Sequence, residues 1–232
     1  KSQLAEYALT DVVAILVEKG EPVGGCVAGD SDEIVGINSR AALAQAEKIL
    51  QRRIAARHME HGVTIIDPAN TYIGWDVEIG QDSVIEPFTV IEGKVRIGKD
   101  CVVGPFAHLR DGTVLDDSAE IGNFVEVKKS SIGSFSKAKH LTYLGDTTLG
   151  RKVNIGAGTI TANYDGKDKH ATWIGDGASI GSNTTLVAPV RVGDRAVTGA
   201  GSVVTRRQDV PAGAVVVGVP ARLLKKENGR GK

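Results

Sequence analysis

The stretch SKAKHLTYLGD (residues 136–146) places Lys137, Lys139, His140 and Tyr143 together in a chain that otherwise repeats small aliphatics and glycines. An imidazole ionises nearest neutral pH, so His140 is the natural candidate for a general base. The competing reading is a structural histidine at a turn. Arg110 and Lys128 form a second group, 18 residues apart and each one residue after an aliphatic position. If one coil takes 18 residues, they stack on adjacent turns. Two stacked cations repel unless an anion sits between them, so the spacing predicts a phosphate site, with a solvated basic ladder as the alternative. A third stretch, NIGAGT (154–159), offers small side chains and open backbone amides that a ligand could approach closely. His108 and His170 are weaker candidates as a base.

The elements that must hold these groups follow from a six-residue period. Ile73, Ile79, Ile85, Ile91, Ile97, Val103, Leu109, Leu115, Ile121 and Val127 share one phase. The phase returns from Ile174 to Val216, with only Thr198 departing from the aliphatic rule. Neither a helix nor an alternating strand has this period. It is the mark of a parallel β-helix, in which each hexapeptide is a short strand and a turn. Stacked rungs bury one aliphatic column and pair each other's backbone groups. Three hexapeptides make a coil, and residues 63–217 accommodate roughly eight coils. The period does not set handedness. The phase slips at Ile132 and again at Leu149, and NYDGKDKH (163–170) reads as a polar loop thrown out of the coil. Interruptions of this kind are where function tends to be placed.

Upstream, TDVVAILVEKG reads as a short helix capped by Thr10 and stopped by Gly20, and PVGGCVAG (22–29) reads as a strand. Residues 39–62 read as a helix capped by Ser39 and ended by Gly62, with Leu43, Ala46, Ile49, Leu50 and Ile54 on one apolar face. His58 and His61 near its end would suit the helix dipole as cations. The expected organisation is a remnant α/β domain (1–40), a connecting helix (41–62), the β-helix domain (63–217) and a C-terminal tail (218–232) whose end, 225–232, is basic. With 28 basic and 28 acidic residues, bulk charge gives no reason to expect nucleic acid or an anionic membrane as partner. The chain has no apolar run long enough to cross a bilayer. Cys26 and Cys101 are far apart and lack metal-type spacing, which favours free thiols and a cytoplasmic location.

VGPFAHLRDGTVL, IGNFVEVKKSSIG, SKAKHLTYLGD, VNIGAGTITANYDGKDKH and IGSNTTLVAPV resemble the acetyltransferase domain of a bacterial bifunctional family. Those enzymes are UDP-N-acetylglucosamine pyrophosphorylase / glucosamine-1-phosphate N-acetyltransferases. The resemblance runs from about residue 63 to 205. EYALTD and IVGINSR resemble the end of that family's uridylyltransferase domain. The resemblance implies a left-handed β-helix, a homotrimer with shared sites, acetyl-CoA as cosubstrate and glucosamine 1-phosphate as acceptor. It assigns His140 as base, Arg110 and Lys128 to the sugar phosphate, and Tyr143, Asn154 and Lys169 to the sugar site, with Glu126 nearby. It puts Ala157, Asn163, Tyr164, Ser182 and Ala200 along the coenzyme path, Ala157 supplying an oxyanion-type backbone donor. Asn38 matches a residue that helps hold Mg²⁺ in the uridylyltransferase site. That half is expected to be incomplete here and inactive. Gly218 stands where the family often has an Arg for coenzyme A, and one residue is inserted around TRRQDV; Arg222 or Lys225 could substitute for the missing cation. A hexapeptide acyltransferase with a different acceptor, or a non-catalytic β-helix platform, remains the alternative at this stage.

Overall fold

A computed structural model describes residues 8–224. From Thr64 onward each hexapeptide contributes a strand of two to four residues and a turn. Among the described residues the strands form three sheets of ten, eight and seven strands, and each sheet takes every third strand along most of the coil. Pairing is parallel throughout the coil, and Val216 with Leu223 makes an antiparallel closing pair. The result is the all-β parallel solenoid that the six-residue period implies.

The aliphatic phase is the core. In the second sheet Ile73, Ile91, Leu109 and Val127 lie in register, one above the next. Leu109, Val127, Leu144 and Leu186 are each 0% exposed. Truncating such a side chain to Ala removes about 2–5 kcal/mol. Close stacking explains the glycines that follow the core positions. A Cβ on Gly122 would strike the Lys139 carbonyl of the next coil.

The phase slips shorten the coil by one residue without turning it inside out. Val127 pairs with Leu144, where an 18-residue stride would bring Gly145. In the first sheet Ile121 pairs with Ala138, where the same stride would drive Lys139 into the core. The next core position of the second sheet is Thr161, which is 0% exposed and pairs with Leu186. Its hydroxyl accepts from the Gly145 amide at 2.8 Å, so the buried oxygen is satisfied. Thr198 is handled in the same way, accepting from Gly181 N at 3.0 Å.

The segment before the coil departs from expectation in several places. The chain divides into one unit up to Ile49 and a second from Leu50 on. Helix α1, Asp11–Glu18, ends near Gly20 at φ +72°, as expected. Thr10, however, has helical angles and makes no side-chain cap; Asp11 instead accepts from the Ala8 amide at 3.2 Å. None of the α1 residues is buried. The expected strand at 22–29 is irregular chain, because no neighbouring strand offers it a ladder and Gly24–Gly25 is costly to order. Helix α2, Arg40–Glu60, begins at Ser39, whose hydroxyl accepts from the Ala42 amide at 3.1 Å. Its buried residues are Ile54, Ala55 and His58, whereas Leu43 and Leu50 are exposed. Within the second unit only the last turns of α2 pack on the first coils. There the Gln51 side chain accepts from Ile73 N and Arg57 stacks on Trp75. Burial first, and then Arg57 and His61, push the His58 pKa down, against the cationic form that the helix dipole favours. Glu6 and Tyr7 of the upstream motif, and Lys225 with the rest of the tail, lie outside the described residues.

Candidate active site

The coil geometry assembles a cationic cluster on the second sheet. Because Leu109 pairs with Val127, the residues that follow them, Arg110 and Lys128, stand on adjacent turns. The repulsion expected between them is relieved unevenly. Arg110 Nη1 donates to Glu126 Oε1 at 2.8 Å, and its Nε lies 3.5 Å from Glu92 Oε1. The Glu126 bond, foremost, raises the Arg110 pKa. The uncompensated cation is Lys128. The Lys169 ammonium within hydrogen-bonding reach, more than Arg110, pushes the Lys128 pKa down. Among the described residues no carboxylate pairs with either lysine. The stacked cations thus leave their unpaired charge at Lys128 and Lys169, whereas Arg110 is held by two carboxylates.

Tyr143 pairs in register with Glu126 and stands close enough to act on the Arg110 charge. Its hydroxyl reaches over Gly145. A Cβ there would meet that hydroxyl and lie 2.6 Å from Asn163 Nδ2, so only glycine leaves both groups in place. Asn163 donates to Asp146 and is 7% exposed. The structure therefore sets Asn163 beside Tyr143, at the root of the 163–170 loop.

A second group lies in a row along the corner between the first and second sheets. Asn123 pairs with His140. The carbonyls of Asn123, His140, Ala157 and Ser182 accept from Leu141, Gly158, Asn183 and Gly201 in turn, which stacks these four residues coil on coil. Ala200 follows, two residues after Thr198 as Ser182 follows Ile180. Neighbours in such a stack stand about 4.8 Å apart. His140 is exposed, and its ring makes no hydrogen bond to the described chain. The Ala157 amide likewise donates to no other described group. An unengaged imidazole therefore sits one coil from an unengaged N–H.

The remaining residues stand apart from these groups. Asn154 is exposed on the first sheet, between Lys137 and Ser179. Tyr164 is exposed on the loop, its hydroxyl donating to the Gly166 carbonyl at 2.6 Å. Asn38 lies exposed in the first unit, and no group of three or more His, Cys, Asp or Glu suited to a metal ion occurs among the described residues. Lys137 and Lys139 both bind Glu120, at 2.6 and 2.7 Å, and depress its pKa. The one carboxylate thus offsets part of their charge within the first sheet. His108 Nε2 is 3.1 Å from Glu92 but out of line for a hydrogen bond. Arg222 donates to the Ala221 carbonyl at 3.1 Å, beside Gly218 at φ +95°. Sequence reasoning missed Glu92, although it precedes Arg110 by one 18-residue stride and so carried a signal. It also missed Asp146, whose partner lies across the slipped coil.

The coil and its repeat define a hexapeptide-repeat β-solenoid. The family described as "Bacterial transferase hexapeptide (six repeats)" matches residues 94–129 and 171–206. A solved UDP-N-acetylglucosamine acyltransferase shares this fold with a TM-score of 0.51 at 19% identity, over 69% of this chain and 71% of that one. Within that class, the chain belongs to the GlmU family and corresponds to the C-terminal part of its members. It is 48% identical over 256 residues to the Bifunctional protein GlmU of Geobacillus sp. (strain WCH70), covering 96% of this chain and 55% of that protein. The figures for the GlmU of Heliobacterium modesticaldum are 48% over 260 residues, 98% and 56%. The chain thus spans about half the length of the curated relatives it matches.

Proposed function

We propose that this chain transfers the acetyl group of acetyl-CoA to the amine of glucosamine 1-phosphate, giving N-acetylglucosamine 1-phosphate. The observation that supports the reading is an unengaged His140 ring one coil from the unengaged Ala157 N–H, on the coil that also carries Tyr143. His140 stands three residues before Tyr143 on one coil, and Tyr143 pairs in register with Glu126, the partner of Arg110.

In this reading Lys128, Lys169 and Arg110 hold the sugar phosphate, with Tyr143 beside them. Charge-assisted bonds of this kind contribute about 1.5–3 kcal/mol each. The amine attacks the thioester carbonyl; the C–N bond forms and the C–S bond breaks. His140 takes the amine proton as the bond forms, and the departing thiolate leaves as coenzyme A thiol once protonated. The Ala157 N–H is the donor suited to the carbonyl oxygen as it gains charge. Ser182 and Ala200 continue the corner row as a track for the coenzyme, and Asn154, Asn163 and Tyr164 border the two subsites. A homotrimer would bring a second copy's residues to each site, and a cytoplasmic location would supply both substrates.

The test is direct. The purified chain, given acetyl-CoA and glucosamine 1-phosphate, should release one free thiol per N-acetylated sugar phosphate, followed by thiol reagent and by mass. Thiol release without the acetylated sugar, or no release at all, overturns the reading.

A further inference from the structure

The loop that carries Lys169 is pinned from outside the coil. Residues 163–170 leave the solenoid as a small hairpin, closed by the Tyr164–Lys169 bridge and by His170 N bonding to the Asn163 carbonyl at 2.8 Å. Asp165 organises its tip. One carboxylate oxygen accepts from the Lys167 and Asp168 amides at 3.0 and 2.8 Å. The other meets His170 Nε2 at 2.7 Å and Arg206 Nη2 at 3.0 Å. The same Arg206 nitrogen lies 2.6 Å from His170 Nε2. Arg206 belongs to the TRRQDV turn, 41 residues away in sequence, so this contact ties two distant excursions of the coil together. The Asp168 amide bond, then His170, and with them Arg206, hold the Asp165 carboxylate far below the usual range.

We propose that Arg206 is a positioning residue. Through Asp165 and His170 it holds the hairpin so that the Lys169 ammonium stands against Lys128 and completes the phosphate subsite. Arg206 itself touches neither Lys169 nor Lys128. Two like charges do not approach one another unaided, so something must hold the hairpin in place; the Arg206 clasp supplies that constraint until an anion arrives. The inference rests on the acetyl-transfer reading above.

The test is a double-mutant cycle in steady-state acetyl transfer to glucosamine 1-phosphate. Arg206→Ala should raise KM for the sugar phosphate about five- to tenfold with kcat changed less than twofold. Lys169→Ala should raise it at least as much, and the double variant should be no worse than Lys169→Ala alone. Arg206→Lys, which keeps one ammonium donor for Asp165, should recover at least half of the loss. Should Arg206→Ala fail to fold, the Lys variant and Asp165→Asn complete the cycle with Lys169→Ala. Additive penalties, or an Arg206→Ala effect confined to kcat, would overturn the positioning role while leaving the acetyl-transfer reading intact. A wild-type chain that does not acetylate glucosamine 1-phosphate overturns that reading instead, and the cycle with it.

Discussion

At the scale of single residues, the chemistry depends on which charges the fold leaves unpaired. Lys137 and Lys139 lie just before the proposed base in sequence, yet both are bound to the one Glu120 carboxylate, which offsets part of their charge. Arg110 is braced by Glu126 and Glu92. Lys128 and Lys169 keep theirs, and the lowered Lys128 pKa records the repulsion. A dianion bound between them should reverse that shift, so Lys128 should titrate at higher pH with glucosamine 1-phosphate present than without it. Nitrogen-detected NMR of the lysine side chains reads this directly; no upward shift, or a downward one, would place the phosphate elsewhere. The His140 ring is unengaged, so removing it should harm chemistry without harming the fold. His140→Ala should lower kcat by about 10²–10⁴, with the thermal unfolding midpoint unchanged. A loss of stability in step with activity would make the residue structural instead.

At the scale of elements, the slipped coils and the hairpin do the positioning. A strict 18-residue stride would have brought Lys139 and Gly145 to the core positions; the one-residue contraction keeps Ala138 and Leu144 there and turns Lys139 outward. The cost appears at Thr161, a hydroxyl in an aliphatic column whose oxygen is needed by the Gly145 amide. Thr161→Val keeps shape but leaves that buried N–H unpaired, and should cost about 1–3 kcal/mol in urea unfolding. No measurable change would mean that the contraction is held by packing alone. The hairpin has its own pH dependence. Asp165 has a depressed folded pKa, so its contribution is present above the ordinary carboxylate range and is lost as pH falls through and below that range. The protection of the Lys167 and Asp168 amides, taken against their intrinsic exchange at each pH, should therefore fall in acid before the coil unfolds. The slips and the extruded 163–170 loop were legible as breaks in phase. The clasp on Arg206 was not, because it joins two irregular excursions and no period connects them. The expected strand at 22–29 failed for a related reason: its apolar pattern was right, but a strand needs a neighbour that local sequence cannot show.

At the scale of the whole molecule, the repeat made most of the fold readable. One phase of aliphatics names the core and the spacing of three hexapeptides names the coil. The register then places Arg110 above Lys128 and His140 beside Ala157. What the period could not give is the pairing of exposed charges, because side chains such as those of Glu92 and Glu126 choose partners across the surface after the coil is built. The apolar face assigned to α2 holds at Ile54 alone among its fully buried residues, while Leu43 and Leu50 are exposed, because the helix meets the coil only near its end. The cation cluster and the imidazole row form one site only if a single acceptor spans them, with its anion at Lys128 and Lys169 and its amine at His140. The most direct test compares kcat/KM for glucosamine 1-phosphate with that for unphosphorylated glucosamine on the same purified chain. A preference of at least about tenfold for the phosphate ester is expected from one charge-assisted contact alone, and it should collapse in Lys128→Ala. Equal rates on the two sugars, or a preference that survives that substitution, would contradict the account.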